Sequence, residues 1–194
     1  METALKPVVF RQGKLVRLRP PEERDLPLFV RWINDPEVSR FLASNTPYSM
    51  IAERAWVDGL STKRDDFVLV IETLDGDVPI GTIGLHGVSL LHGTATTGTL
   101  IGEKEYWGKG YGTEAKMLLL QFAFHTLNLR RISSLVISYN KRSLAYAKKC
   151  GYVYEGRRKK FIFRDGKYWD DVQLVVWREA WEPLWKEYKK GMKK

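Results

Sequence analysis

A single cysteine, Cys150, stands in 194 residues, so the chain forms no internal disulfide and no cysteine-based zinc site. The three histidines, His86, His92 and His125, are too scattered to have metal-ligand spacing. Metal and redox chemistry are therefore not expected. Long apolar runs are also missing: the longest, Met117 to Phe124, is broken by Gln121 and falls well short of the roughly 20 residues that cross a bilayer. The N-terminal METALKPVVF lacks the apolar segment of a secretory signal. A cytoplasmic protein without a membrane partner is the expectation. No repeat, low-complexity tract or Gly/Ser/Pro linker interrupts the chain, and its length is close to that of one typical domain of roughly 150 residues.

What is present is material for a core: 44% hydrophobic residues, 12% aromatic ones and seven Trp, far more apolar area than a disordered chain carries. Thirty-two Lys and Arg against 23 Asp and Glu leave a net charge of +9, which attracts a polyanion such as nucleic acid, an anionic surface or a phosphorylated cofactor. The basic clusters Arg157 to Lys160 and Lys189, Lys190, Lys193, Lys194 read most simply as a charged strand edge and a cationic helix end. A noncatalytic RNA-binding module is the rival reading they allow.

Leu15 to Leu18 alternates as a short strand, and Pro20-Pro21-Glu22-Glu23 opens a helix with Leu26, Phe29, Val30 and Ile33 at helical spacing, ended by Asn34-Asp35-Pro36. A second helix from Ser49 carries Ile51, Ala55, Trp56 and Leu60. Strands Phe67 to Thr73 and Val78 to Leu85 hinge at Asp75-Gly76-Asp77, and a third runs near Thr97 to Gly102. The strongest helix, Thr113 to Leu127, and the strand Arg130 to Tyr139 complete a β-α-β unit. A short helix, Ser143 to Lys149, stops at Cys150-Gly151. A hairpin then turns at Asp165-Gly166, and a Trp-rich helix from Arg178 closes the chain. This pattern predicts the α+β class, a mixed sheet flanked by helices, not a fully parallel sheet.

Between strand and helix lies Trp107-Gly108-Lys109-Gly110-Tyr111-Gly112-Thr113-Glu114-Ala115. Glycines let consecutive N–H groups converge at the positive end of a helix, an anion cradle, whereas a bare turn would need only one glycine. The nucleoside-triphosphate loop fails here, because Gly108-Lys109 is followed by Gly110 and Glu103 stands where the first glycine belongs. The dinucleotide spacing matches at Gly110, Gly112 and Ala115, yet the next strand ends Ser138-Tyr139-Asn140-Lys141 without the acid that grips a ribose.

The loop, together with Val16-Arg17-Leu18-Arg19-Pro20, Arg31 to Val38, Ile101 to Tyr106, Asn140, Ser143, Gly151-Tyr152 and Arg164 to Asp170, resembles the GNAT superfamily of N-acetyltransferases. Within it the set resembles the RimJ/RimL type, which acetylates ribosomal-protein N-termini. The resemblance covers nearly the whole chain, with Gly110 and Gly112 at the superfamily's glycine positions and Trp107 in place of its Gln or Arg. It implies a single GNAT domain over 1–194, with a core of about 14–178 and a terminal helix of about 178–191. The implied sheet is mixed and largely antiparallel, with a splayed central strand pair. Acetyl-CoA is the implied cosubstrate and no metal takes part. The arm would lie along Leu100, Ile101 and Gly102, the pyrophosphate on Trp107, Gly108, Lys109, Gly110, Tyr111, Gly112 and Thr113, and Asn140 and Ser143 would contact the arm. Asn140 also fits a helix N-cap. An amine acceptor, with a ribosomal-protein N-terminus foremost, and a homodimer are the implied partners.

Two positions depart from the family pattern. The tyrosine that protonates the leaving thiolate is expected seven residues after Asn140, where Ala147 stands beside Tyr146, about 100° away on a helix. The family's glutamate two residues before Gly98 is replaced by Thr96. Tyr146 is then the candidate acid, and Glu103 and His86 are stand-ins for the base. A weak base suits an α-amine, which titrates near 8, better than an amine near 10.4. The net charge also opposes a polyamine or aminoglycoside, the alternative acceptors. Trp32, Tyr48, Trp169 and Asp170 are the candidate acceptor-site residues. Cys150, at a helix C-terminus, is a poor nucleophile, so direct attack by the amine is expected.

Overall fold

The computed structural model describes residues 8–42 and 46–192; Lys193, Lys194 and most of the N-terminal segment read above lie outside them. Eight strands form one sheet in the order β1-β2-β3-β4-β5-β6-β8-β7: β1 Arg11–Gln12, β2 Val16–Arg19, β3 Phe67–Thr73, β4 Pro79–Ser89, β5 Thr94–Ile101, β6 Arg131–Ile137, β7 Val153–Arg164 and β8 Lys167–Trp177. All neighbours are antiparallel except β5 and β6. The helices are α1 Leu26–Asn34, α2 Pro36–Ser39, α3 Met50–Leu60, α4 Tyr111–Gln121, α5 Lys141–Lys149 and α6 Arg178–Met192. The α+β architecture read from the sequence is the one observed.

The core lies between the sheet and α4, where Leu18, Ile71, Ile83, Leu85, Leu119, Leu120, Phe124, Ile132 and Val176 are fully or nearly fully buried, and Trp181 of α6 joins them. Apolar burial of this kind, at roughly 25 cal/mol per Å², is what holds α4 to the strands. Two polar clusters fix the register of the N-terminal segment against this core. Arg19 forks onto Asp25 with two 2.7 Å bonds and donates to Glu72 at 2.6 Å, all three buried. Glu114 of α4 accepts the backbone N–H of Lys14, Leu15 and Val16 at 2.6 to 3.0 Å and the Tyr188 hydroxyl at 2.7 Å.

Some elements differ from their sequence signals. Glu23–Asp25 forms a 3-10 turn before α1, and α4 starts at Tyr111. After Gln121 the helix widens into a π turn, Phe122–Thr126, in which Leu127 N–H reaches Phe122 C=O; the uniform apolar run hides this change of winding. β5 begins three residues earlier than expected, because Thr94 and Thr96 pair with both β4 and β6 and Ala95 pairs with β6. The largest difference is in α3: Ile51 and Ala55 face solvent, and the inward face carries Glu53, Trp56, Val57 and Leu60. At the far edge, β7 bears the basic run with a register break between Arg158 and Ile162, a charged and bulged edge of the kind that blocks strand addition.

Candidate active site

β5 and β6 pair only over Thr94–Thr96 and Arg131–Ser133 and then part, while β5 keeps its partner β4 as far as Ile101. At the apex Thr97 donates its hydroxyl to Ser133 C=O at 3.2 Å and bonds the Tyr152 hydroxyl at 2.9 Å, which closes the narrow end. Beyond it opens a cleft of about 340 Å³, lined on one side by Gly98 to Ile101 and on the other by Ser134, Leu135 and Val136. Main-chain groups on that edge of β5 have no strand partner, so an extended ligand carrying amides can take the partner's place.

The glycine loop forms the cleft's mouth. Gly108 and Gly110 have φ of +76° and +96°, the left-handed region that glycine enters without strain, and Gly110 caps α4. Trp107 donates its indole N–H to Ile101 C=O at 2.7 Å, pinning the loop to the end of β5. The first intrahelical bond comes from Glu114 N–H to Gly110 C=O, which leaves the preceding amides of the first turn without helical acceptors. Gly112 is helical with space for a Cβ, so its contribution is the room it leaves in the cleft wall. Arg142, which sequence reading missed, lies 3.7 Å from the centroid of the Trp107 ring at the same mouth, and partial burial lowers its pKa. Left-handed glycines, open amides, a helix N-terminus and a guanidinium together fit a pyrophosphate.

From the other wall α5 presents Asn140, Ser143 and Tyr146 to the cleft. Asn140 Oδ1 accepts Ser143 N–H at 3.0 Å, the N-cap bond anticipated from sequence. Ala147 packs into the core and its neighbour Tyr146 lines the cleft. Burial raises the pKa of the Tyr146 hydroxyl, so the phenol keeps its proton. Cys150 is buried and its thiol is pushed up to about 12, which makes burial the main reason it is not a nucleophile.

A second cavity, of about 370 Å³, meets the first at Leu42 and Gly98 to Leu100. Its walls are Phe29 and Ile33 of α1, Tyr48, Glu53 and Trp56 around α3, and Val68, Thr82 to Gly84 and His86 of β3 and β4. His86 sits 3.6 Å from Asp66 and rests on Gly84 and Gly98, where a Cβ would stand only 3.0 and 3.2 Å from its Nε2.

Residues 16–153 match the model of the acetyltransferase (GNAT) domain, well over half of the chain. The chain belongs to the GNAT family. Among relatives of this GNAT chain, YokL of Bacillus subtilis strain 168, an uncharacterized N-acetyltransferase, is 28% identical over 187 residues, covering 90% of this chain and 97% of that one. The spermidine N(1)-acetyltransferase of Escherichia coli K12 is 26% identical over 167 residues, 86% and 88% of the two chains. The spermidine N-acetyltransferase of Vibrio cholerae, solved with CoA and spermine, superposes with a TM-score of 0.80 at 23% identity over 86% of this chain and 98% of that one, a likeness of fold. The GNAT chain is thus an acetyl-CoA-dependent N-acetyltransferase.

Among the residues read as cofactor contacts, Leu100, Ile101, Trp107, Gly108, Gly110, Gly112, Thr113, Asn140 and Ser143 line the cleft. Three do not. Gly102 gives its N–H to Ile80 C=O and lies under the Trp32 ring, a position only glycine fits. Lys109 points to solvent from the loop tip, and Tyr111 packs edge-on against Tyr106. Glu103 lines neither cavity; it is ion-paired with Arg31 and accepts the Trp32 indole N–H at 2.9 Å. Of the acceptor candidates only Tyr48 lines either of these two cavities. Trp32 is core with Phe29 and Val70, Trp169 packs edge-on against Tyr139, and Asp170 accepts Lys160 N–H and pairs with Arg157 inside the hairpin. These aromatics and this acid serve packing, which sequence spacing alone does not separate from binding. Among the described residues no helix is long and apolar enough to cross a membrane, and no cluster of His, Cys, Asp or Glu could hold a metal ion.

Proposed function

We propose that the chain acetylates a primary α-amine at a protein N-terminus, the acceptor class of the RimJ/RimL enzymes, by direct attack on acetyl-CoA. The observation that carries this reading is the meeting of two cavities across Gly98, Thr99 and Leu100: one suits a long anionic ligand, the other a compact amine with apolar surroundings. Leu100 and Ile101 offer main-chain groups to the arm, and an amide there would stabilise the negative charge that develops on the carbonyl oxygen. Gly108, Gly110, Gly112 and Thr113, with Arg142, hold the pyrophosphate. Tyr146, protonated and beside the gap, is the donor for the departing thiolate. Among the described residues Glu53 is the one carboxylate of the second cavity, whose remaining wall is largely aromatic and aliphatic, which favours one amino group over an extended polycation.

The spermidine acetyltransferases among the relatives favour a second reading, a polyamine acceptor. Thiol release from acetyl-CoA across Ala- and Ser-initiated peptides, spermidine, spermine and an aminoglycoside separates the two. The expected result is a kcat/KM at least tenfold higher for a peptide. The reverse order would transfer the assignment to polyamines, and release with no amine would overturn both readings.

A further inference from the structure

Glu53 occupies a place that the hydrophobic effect alone would not assign to it. Residues 51 and 53 lie about 200° apart on a helix, so α3 can bury one only by exposing the other. Burying Ile51 and Ala55 with Trp56 was the expectation from the apolar spacing. The fold does the opposite: Ile51 is 82% exposed and Glu53 is 4% exposed. Among the described residues no hydrogen-bond donor or cation reaches its carboxylate, although it lines the second cavity. A buried carboxylate without a partner is costly, and such local conflicts concentrate where a ligand resolves them.

We propose that Glu53 is the carboxylate that receives the acceptor's amino group and accepts the proton that nitrogen must lose. This rests on the two-cavity reading of the function given above. Among the described residues that line the cavity with it, Phe29, Ile33, Trp56 and Val68 included, an ammonium finds no other anionic partner, and aromatic faces favour a cation. The cavity meets the thioester cleft at Gly98 to Leu100, so an amine held by Glu53 lies on the acceptor side of the splayed strands. The bound ammonium first passes one proton through Glu53 to water. The amine lone pair then forms the N–C bond, the C–S bond breaks, the nitrogen's second proton goes to Glu53, and Tyr146 protonates the thiolate. Glu53 returns its proton to water, Tyr146 regains one, and each turnover of an ammonium releases one proton net.

The titratable groups facing Glu53 are Tyr48 from the segment before α3 and His86 from β4, the latter backed by Asp66; the cavity residues of α1, β3 and β5 carry none. Burial raises the Glu53 pKa, which brings the carboxyl closer to the pH at which it exchanges a proton with an amine.

The test compares the parent chain with Glu53→Gln in three measurements. Binding of an Ala-initiated peptide amide to the CoA-loaded protein, read by calorimetry without turnover, should weaken at least tenfold. In the parent, kcat/KM should rise along an acid limb that stays fixed when acceptors of different amine pKa are exchanged; that limb should vanish in Glu53→Gln while kcat falls about a hundredfold or more. The variant should melt at or above the parent at pH 7, because the amide removes a buried charge. A parent that binds no amine, a variant that binds and turns over within twofold of the parent, or a variant that melts below it would each overturn the assignment. Thiol release by the parent tests the proposed function independently of Glu53.

Discussion

At the scale of single residues, the side chains that matter are those whose environment contradicts their chemistry. Tyr146 lines the cleft one position before the residue that family spacing points to, because α5 turns Ala147 into the core. Tyr146→Phe is expected to lower turnover roughly a hundredfold with CoA affinity nearly unchanged; normal turnover with a small loss of stability would assign the ring to packing. Lys116 of α4 is 1% exposed, its Nζ has no hydrogen-bond partner among the described residues, and it lies between the Tyr146 and Tyr152 rings and near Cys150. Burial pushes its pKa down to about 7. Below that value the folded chain must hold a buried cation, whereas the unfolded chain keeps its proton up to about 10.4, so parent stability should rise between these limits. Lys116→Met should therefore stabilise most near pH 6, and the gain should shrink by on the order of 4 to 5 kcal/mol by pH 10.5, read from chemical denaturation at the two pH values. An equal gain at both would show the amine solvated.

At the scale of elements, buried charges do the aligning that short strands cannot do for themselves. β2 is four residues long, and Arg19 ties it to the turn before α1 through Asp25 and to β3 through Glu72. Removing the Glu72 charge leaves Arg19 with Asp25 alone and strips a charged acceptor from its buried Nε, so Glu72→Gln should cost about 1.5 to 3 kcal/mol in urea unfolding. A cost near zero would mean that water reaches the cluster. The glycine loop works through backbone conformation: a Cβ at Gly110 meets only Leu15 at 3.7 Å, yet φ is +96°. Gly110→Val should weaken acetyl-CoA binding at least tenfold by distorting the cradle, with the far-UV spectrum unchanged. Equal affinity would reduce the loop to a turn.

At the scale of the whole molecule, the two-cavity arrangement makes ligand binding part of stability. The splayed strands leave unpaired main-chain groups that a bound arm can satisfy, and a ligand that binds only the folded chain raises its melting temperature by mass action. Saturating acetyl-CoA should shift the melt upward, with NADH or ATP shifting it less; an absent shift at millimolar acetyl-CoA would remove the cleft from the mechanism. Net charge acts at this scale as well. The +9 field favours CoA phosphates, while the second cavity holds its own carboxylate, so the global sign does not choose the acceptor.

By itself the sequence determined the elements whose causes are local. The glycines at 108 and 110 adopt positive φ, Asn140 caps α5, Asp165-Gly166 turns the last hairpin with φ of 51° and 76°, and the ordered motifs specify the GNAT family. These follow from backbone sterics and short-range hydrogen bonds, which a chain of residue types encodes directly. Tertiary structure alone decided which way helices and side chains face. Trp32 and Trp169 went to packing and Glu103 to Arg31, whereas Glu53 and Arg142, with no periodic or motif signal, were carried to the two cavities by the rotation of α3 and the start of α5. Rotation about a helix axis is set by every surface it packs against at once, and those surfaces come from residues distant in the chain.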